Sequence, residues 1–501
     1  MKKLIALLLC AALLVPALVG CSESAAESGS EESNAAANES AAEGAEVVPE
    51  EPEVTRANVP DSLPEGLDFG GTTLNILSFG SESCQTYDIH GELNGDVVLD
   101  AIYNRNVTVE DRLGVKLNAI AGSADWGGFP TEVQNALQSG SSDYDYIVEE
   151  SSRLWQQSIH GYYYDFMNMN YIDLNQPWWY SEMMAESNLD NATRYFLNGD
   201  ICLTVLFGAS AMYVNKPLFT DYFGDVNALY ESVLEGTWTY DSFADYCRGV
   251  YTDVNGDGQP DAGDIMGFRF EQWGIPNYLS MSTGLSYITR NDEGFPELAV
   301  MTEQGVKWGE TLYKLLYTDN ISMEGSKQDT FIAGKSLFYP GMFETAHALR
   351  DVEFEYGILP YPKLDDTVDY LSGAATANGC GVGIPITAPA EKLDAVCATI
   401  EALCAESYRK VVPAWYDTAL KIKYSAGLID AQMVDIIYEH IGSPFIMMAD
   451  KELSIGSIYT SGVYGSNTDG AFASYYAKQE KVFKKSLERA IENYVKLKEE
   501  Q

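Results

Sequence analysis

In the stretch TTLNILSF (72–79) apolar and polar residues alternate, and the period of two predicts a strand. The next segment, GDVVLDAIYNRNVTVEDRLG, sets Val98, Ile102, Val109 and Leu113 on one stripe of a helix, after which VKLNAI (115–120) returns to the strand period. Residues 130–138 read as a second helix and YDYIVEE (144–150) as a third strand. Strand, helix, strand, helix, strand predicts right-handed crossovers and a parallel sheet. Open sheets of this kind bind ligands beyond the carboxyl ends of their strands, here 78–82 and 149–152.

Further along, YFLNGDICLTVLFGASAMYVNKPLF (195–219) predicts strands followed by a helix with Pro217 in its first turn. Helices and short strands follow, KSLFYPGMF (335–343) and EYGILPYP (355–362) each predict a strand, and after GCGVGIPITAP the pattern is helical. The last helix, from Ala471, carries Phe472, Tyr476, Phe483, Leu487, Ile491 and Tyr494 on one stripe, a docking face. The lack of any repeat at a period of roughly 20–50 residues argues against a solenoid or propeller.

The amino-terminal pattern is of another kind. MKKLIALLLCAALLVPALVGC places Lys2 and Lys3 before an apolar run and small residues before Cys21, which reads as a secretory signal over 1–20 and not as a membrane span. Residues 22–58 are Ala, Glu and Ser with almost no large apolar side chain, so 21–58 is expected to be a disordered acidic tether. Without Lys2 and Lys3 the 31 basic residues become 29 against 74 acidic ones, a mature net charge of about −45, which argues against nucleic acid and anionic lipid as partners. In a chain of 501 residues that is 46% hydrophobic, the remaining length predicts two lobes with separate cores. Besides Cys10 and Cys21, the cysteines Cys84, Cys202, Cys247, Cys380, Cys397 and Cys404 show no paired metal spacing. They are expected to be buried free thiols, with one disulfide left open.

DVNGDGQPDAGD (253–264) puts Asp253, Asn255, Asp257, Gln259, Asp261 and Asp264 at positions 1, 3, 5, 7, 9 and 12 of an EF-hand-type loop, with Gly258 at the sharp turn. Oxygens at alternate positions can wrap one hard cation, so Ca2+ is the expected ion. Two departures are Asp in place of Glu at position 12 and Pro260 at position 8. A calcium sensor needs paired loops and a Met-lined groove, and a single loop reads instead as a structural staple remote from any solute.

Leu18, Val19, Gly20 and Cys21 resemble the lipobox of bacterial lipoproteins, in which the cysteine is acylated and becomes the mature amino terminus. Acyl chains at roughly 0.8 kcal/mol per buried CH₂ would hold such a protein on a membrane surface. GELNGDVVLDAIYNRN (91–106), FLNGDICLTVLFGASAMYVNKPLF (196–219), GTWTYDSFADYCRGVYTDVNGDGQPDAGDIMGF (236–268) and FIAGKSLFYPGMFETAHALR (331–350) come in an order similar to that of the large family 1 extracellular solute-binding lipoproteins of Gram-positive ABC importers. The resemblance extends over 70–430. It implies an α/β fold of two discontinuous lobes, the type II periplasmic-binding-protein-like fold, with a ligand cleft that closes by hinge motion. By that analogy lobe 1 begins at 59–205, lobe 2 comprises 206–338 with the calcium loop, 339–390 returns to lobe 1, and 391–501 is a helical region shared by both. Crossings fall near 203–207 and 338–343. The analogy also implies a lipid-anchored monomer on the extracellular face of the cell membrane that delivers its solute to ABC permease subunits.

Carbohydrate sites need flat apolar faces for the CH patches of sugar rings and side chains that bond hydroxyls in pairs, and the chain has 8 Trp and 33 Tyr. The candidate ligand residues are Ser81, Glu82, Glu149, Glu150 and Ser151 from lobe 1, with Phe207, Trp273, Phe343, Glu344, Trp415 and Tyr416 from the crossings and lobe 2. Trp238 precedes a helix cap and reads as structural. An oligosaccharide is the expected solute, with a peptide or another polar solute on the same fold as the alternative. A phosphate site would want a Gly-rich helix amino terminus and arginines, and few arginines fall in the expected cleft. A secreted glycoside hydrolase would need paired carboxylates, whereas Glu149 and Glu150 are neighbours on a strand and point to opposite faces. GxSxG and HExxH are absent, and His90, His160, His347 and His440 lie in no metal-ligand spacing, so no catalytic residue is expected.

Overall fold

The computed structural model describes residues 55–500 apart from 191, 272–274, 319, 375–378, 422–427, 457 and 465–470. The secretory segment, Cys21, Trp273 and the tether up to residue 54 lie outside the described residues.

Backbone hydrogen bonding sorts the longer strands into two sheets. Thr72–Ser78 pairs in parallel with Val115–Ala121 on one side and Tyr146–Glu150 on the other, as the alternation predicts. Cys380–Gly383 is added antiparallel to Tyr146–Glu150, with Cys380 opposite Glu150. In the second sheet Ser210–Asn215 is central and antiparallel to both Phe338–Met342 and Tyr356–Leu359. The crossing expected near 338–343 is therefore corrected: that strand stays in the second sheet, and the chain regains the first sheet only between Leu359 and Cys380. All five residues of Phe338–Met342 are buried. Tyr213 holds the strand by facing Tyr339 in register, with ring centres 6.0 Å apart, while Tyr356 packs on Tyr213 at 5.7 Å.

Asp96 starts the helix Val97–Leu113 by accepting the backbone N–H groups of Val98 and Leu99 at 2.9 and 3.0 Å, and Gly114, left-handed at φ 60°, ends it. Val98, Ile102, Val109 and Leu113 are all buried, as their spacing predicts. Arg105 is buried with them. Its guanidinium donates to the carbonyls of Asp88 at 2.9 Å and Ile201 at 3.2 Å and to the Ser407 hydroxyl at 3.1 Å.

Residues 55–58 depart from the expected disorder. Arg56–Asn58 form a turn of 3₁₀ helix, and the Arg56 guanidinium lies 4.1 Å from the ring centre of Tyr408 and 4.7 Å from that of Tyr438, with Asp200 at 3.9 Å. A cation held by two ring faces and a carboxylate supplies what the composition lacks to offset chain entropy. The six described cysteines are buried and free, as expected.

The helix Ala471–Glu500 docks through Phe472, Tyr476, Phe483, Leu487 and Tyr494, all buried. Near its start Phe472 stacks on Tyr459 at 4.3 Å and fills the space beside Gly309, where a Cβ would stand 2.7 Å from the ring. Near its end the Tyr494 hydroxyl donates to Asp190 at 2.6 Å, and Leu497 lies over Gly161. No helix among the described residues is long and apolar enough to cross a membrane.

Trp238 is structural, as its position before a cap suggests. It is fully buried, its indole N–H donates to the Pro360 carbonyl at 2.9 Å, and the rings of Phe243 and Phe338 lie 5.9 and 5.7 Å away. Trp238→Ala is expected to cost about 3–5 kcal/mol of stability, read from the midpoint and slope of urea unfolding.

Candidate solute-binding cleft

The carboxyl ends of the first sheet face the end of Phe338–Met342 across a cleft. A cavity of about 590 Å³ is lined by Tyr87, Asp96, Phe207, Lys327, Tyr339 and Phe343, among others. A second cavity of about 220 Å³ is lined by Phe79, Ser81, Trp126, Glu150 and Gly208, and shares Ser83, Phe207 and Glu344 with the first, so the two adjoin.

One wall is aromatic. Tyr87 packs on Phe207 with ring centres 4.8 Å apart, Phe207 on Trp415 at 5.6 Å, and Trp415 on Phe343 at 5.1 Å. Each ring comes from a different element: the turn Cys84–His90, the crossing helix Leu203–Phe207, the helix Val412–Lys421 and the residue after Phe338–Met342. At the other end Trp126 leans on Phe79 at 4.7 Å and is 52% exposed, which leaves one indole face open.

The polar groups are few and unequal. Glu344 has no hydrogen bond to its carboxylate among the described residues, and burial raises its pKa against the pull of Lys327. Lys327 is lowered by burial, opposed by Glu271, whose Oε2 is 4.0 Å from Nζ, and by Glu344. Its ammonium sits 5.5 Å from the ring centres of both Tyr278 and Tyr339. Glu150 is raised by burial and held back by Lys451 and Arg153, each 3.6 Å away.

Of the residues expected from the sequence, the structure gathers Ser81, Glu150, Phe207, Phe343, Glu344 and Trp415 on these two cavities. Four others are corrected. Glu82 is exposed beside the cleft and lines neither cavity. Glu149 is turned into the core, where its carboxyl accepts the Gln157 amide at 2.8 Å. The Ser151 hydroxyl is spent inside the fold, donating to the Gly379 carbonyl at 2.9 Å and accepting the Asn198 amide at 2.8 Å. Tyr416 packs behind Trp415 against Tyr438 and the Arg56 guanidinium. Tyr87, Trp126, Lys327 and Tyr339 were not singled out from the sequence. Trp126 alone carried a signal, an aromatic in a polar, glycine-rich loop just past a strand's carboxyl end.

None of Asp253, Asn255, Asp257, Gln259, Asp261 and Asp264 lines the cleft. Asp253 accepts the N–H groups of Gly256 and Gly258 at 2.7 Å each, and both glycines are left-handed, as the sharp turn requires. Asp264 is buried and accepts the N–H groups of Val254 and Asp261 at 3.0 Å. The Asn255 amide N–H group lies between the carboxylates of Asp257 and Asp261, at 3.2 and 2.8 Å. Of the six side chains, only Asp257 and Asp261 meet at the Asn255 amide, while the Asp253 and Asp264 oxygens accept backbone N–H groups of the loop.

No family model and no curated protein sequence matches the chain. Solved structures do. A family 1 extracellular solute-binding protein from Bifidobacterium longum subsp. infantis is similar with a TM-score of 0.52 at 12% identity, over 82% of this chain and 100% of that one. The GacH receptor of Streptomyces glaucescens, solved unliganded and with acarbose, is similar with a TM-score of 0.51 at 12% identity, over 83% and 99%. UgpB from Mycobacterium tuberculosis in complex with glycerophosphocholine is similar with a TM-score of 0.51 at 12% identity, over 84% and 100%. The chain therefore has the two-lobed, type II periplasmic-binding-protein-like α/β fold of the family 1 extracellular solute-binding proteins.

Burial pushes the Glu149 carboxyl up to about 8, against the Gln157 hydrogen bond that lowers it. Burial thus favours its protonated form in the fold over the range in which the unfolded chain, with the ordinary value of 4.5, is ionised. Between those values the unfolded state binds fewer protons, so this group withdraws stability as pH rises from about 4.5 to about 8. Glu149→Gln should flatten that part of the thermal midpoint against pH curve and gain on the wild type towards its alkaline end.

Proposed function

We propose that the chain is the extracellular, lipid-anchored solute-capturing component of an ABC importer, and that it takes an oligosaccharide into the cleft by lobe closure and delivers it to a membrane permease. The observation that carries this reading is the aromatic wall Tyr87–Phe207–Trp415–Phe343 facing an open cavity of about 590 Å³. That volume lies within the roughly 300–1,000 Å³ of small-molecule sites. Sugar rings offer CH patches to such faces, and the Glu344 and Glu150 carboxylates offer acceptors for paired hydroxyls. The acarbose complex of the GacH receptor and the maltotetraose complex of a cyclo/maltodextrin-binding protein, at a TM-score of 0.51 and 12% identity, support the same solute class. A binding role without chemistry on the solute is supported by Glu149, which is locked in the core and so cannot pair with its neighbour Glu150 as a glycosidase would require of the two. Export and acylation at Cys21 are supported by the amino-terminal pattern, and the permease partner and monomeric state by the family resemblance.

Lys327, His347 and Arg350 on the larger cavity favour a second reading, an anionic solute such as a phosphodiester, which the glycerophosphocholine complex of UgpB also supports.

A thermal-shift panel of oligosaccharides, peptides and phosphate esters separates these readings. A ligand at 100 times its dissociation constant adds about 2.7 kcal/mol, and oligosaccharides alone should raise the midpoint. Trp126→Ala should weaken binding of the stabilising sugar by about 1 kcal/mol or more in calorimetry, with only a small fall in the unliganded midpoint from the lost contact with Phe79, since the indole is half exposed.

Ca2+ belongs to the same proposal as a staple at 253–264, held by Asp253, Asn255, Asp257, Gln259, Asp261 and Asp264. EDTA should lower the thermal midpoint and added Ca2+ restore it. A midpoint indifferent to both would count against the staple.

A further inference from the structure

Cys84 and Cys380 lie 296 residues apart in the chain, yet their sulfurs are 3.8 Å from each other. Cys84 opens the helical turn after the first strand, Cys380 opens the last strand of the same sheet, and both line the smaller cavity of the cleft. Asp88 completes a buried trio. A metal ion is disfavoured there, because the Asp88 oxygens already accept the Thr204 N–H at 2.9 Å and the Thr204 hydroxyl at 2.6 Å, which leaves two thiols as ligands.

We propose that Cys84 and Cys380 form a disulfide in the exported protein, a cross-link across the floor of the cleft. This rests on the export given under the proposed function, since an oxidising compartment supplies the small-molecule disulfide that the step consumes. The thiolate of one cysteine attacks a sulfur of that reagent and expels one small thiol, and the second cysteine attacks the mixed disulfide and expels the other. Each protein S–H proton ends on a departing thiolate. The protein loses two electrons and the reagent gains them. The sulfurs must close from 3.8 Å to about 2.05 Å for the bond to form. The contact with Cys380, and then burial, push the Cys84 thiol up, and burial raises Cys380. The folded dithiol therefore exchanges slowly, and the bond forms most readily as the chain folds. The loop it closes contains the whole second sheet.

The test isolates the exported chain without reductant, blocks free thiols with iodoacetamide in denaturant and maps peptides before and after reduction. The expected result is one linked species carrying Cys84 and Cys380, with Cys202, Cys247, Cys397 and Cys404 alkylated. Reduction should lower the thermal midpoint by roughly 5 °C or more, and the double variant Cys84→Ser, Cys380→Ser should show the lower midpoint with or without reductant. Alkylation of both Cys84 and Cys380 in the unreduced exported chain overturns the proposal. Cell fractionation of the same sample reads location separately. If the chain stays inside the cell the export reading fails, and refolding with glutathione disulfide then decides the pair: a linked species supports it and two alkylated thiols overturn it.

Discussion

One buried guanidinium fixes how the separated pieces of the first lobe meet. Arg105 projects from the middle of Val97–Leu113 to carbonyls at Asp88 and Ile201 and to the hydroxyl of Ser407, which come from the turn beside the cleft, the segment leading to the second sheet and the carboxyl-terminal helices. A charge so placed persists only when its donors are met. Asp88 carries the constraint onward: its carboxyl, pushed up to about 6 by burial, holds Thr204 through both N–H and hydroxyl. Phe207 ends the short helix that holds Thr204, so the position of the aromatic wall is inherited from Arg105.

The cleft derives its character from two sheets meeting end to side. The first supplies strand ends, where backbone turns present Phe79, Ser81 and Glu150. The second supplies the turn just beyond Phe338–Met342, where Phe343 and Glu344 emerge. Neither sheet alone makes a pocket, because Phe207 and Trp415, which complete the wall, belong to the connections. Desolvation at this junction acts oppositely on the two signs of charge, raising Glu344 and lowering Lys327; Glu271 and then Glu344 oppose the shift of Lys327, and Lys327 opposes that of Glu344.

The parallel order of the first three strands was legible because short-range periodicity and the crossover rule suffice to specify it. The same alternation showed that Glu149 and Glu150 face opposite ways, yet which face met solvent depended on Gln157 filling the core side, a contact no periodicity encodes. Phe343, Glu344 and Trp415 were within reach of family order. Lys327, Tyr87 and Tyr339 were not, since each becomes a cleft residue only when segments more than a hundred residues distant pack against it. Arg56 shows the opposite failure: composition marked its surroundings as disordered, and one side chain in a tyrosine cage overrode the average.

The terminal helix has a mechanical consequence. Its thirty residues make a rod of about 45 Å, bolted near one end to Gly309 and Tyr459 and near the other to Gly161, Asp190 and Thr193. The first attachment lies on the side of the second sheet and the second on the side of the first, so the rod works as a brace across the joint. Rotation of one half against the other must swing about this brace or shear one of its bolts. Any change in the angle between the halves therefore bears on the stacked pair Phe472–Tyr459 at one end and on the Tyr494 hydroxyl bonds at the other.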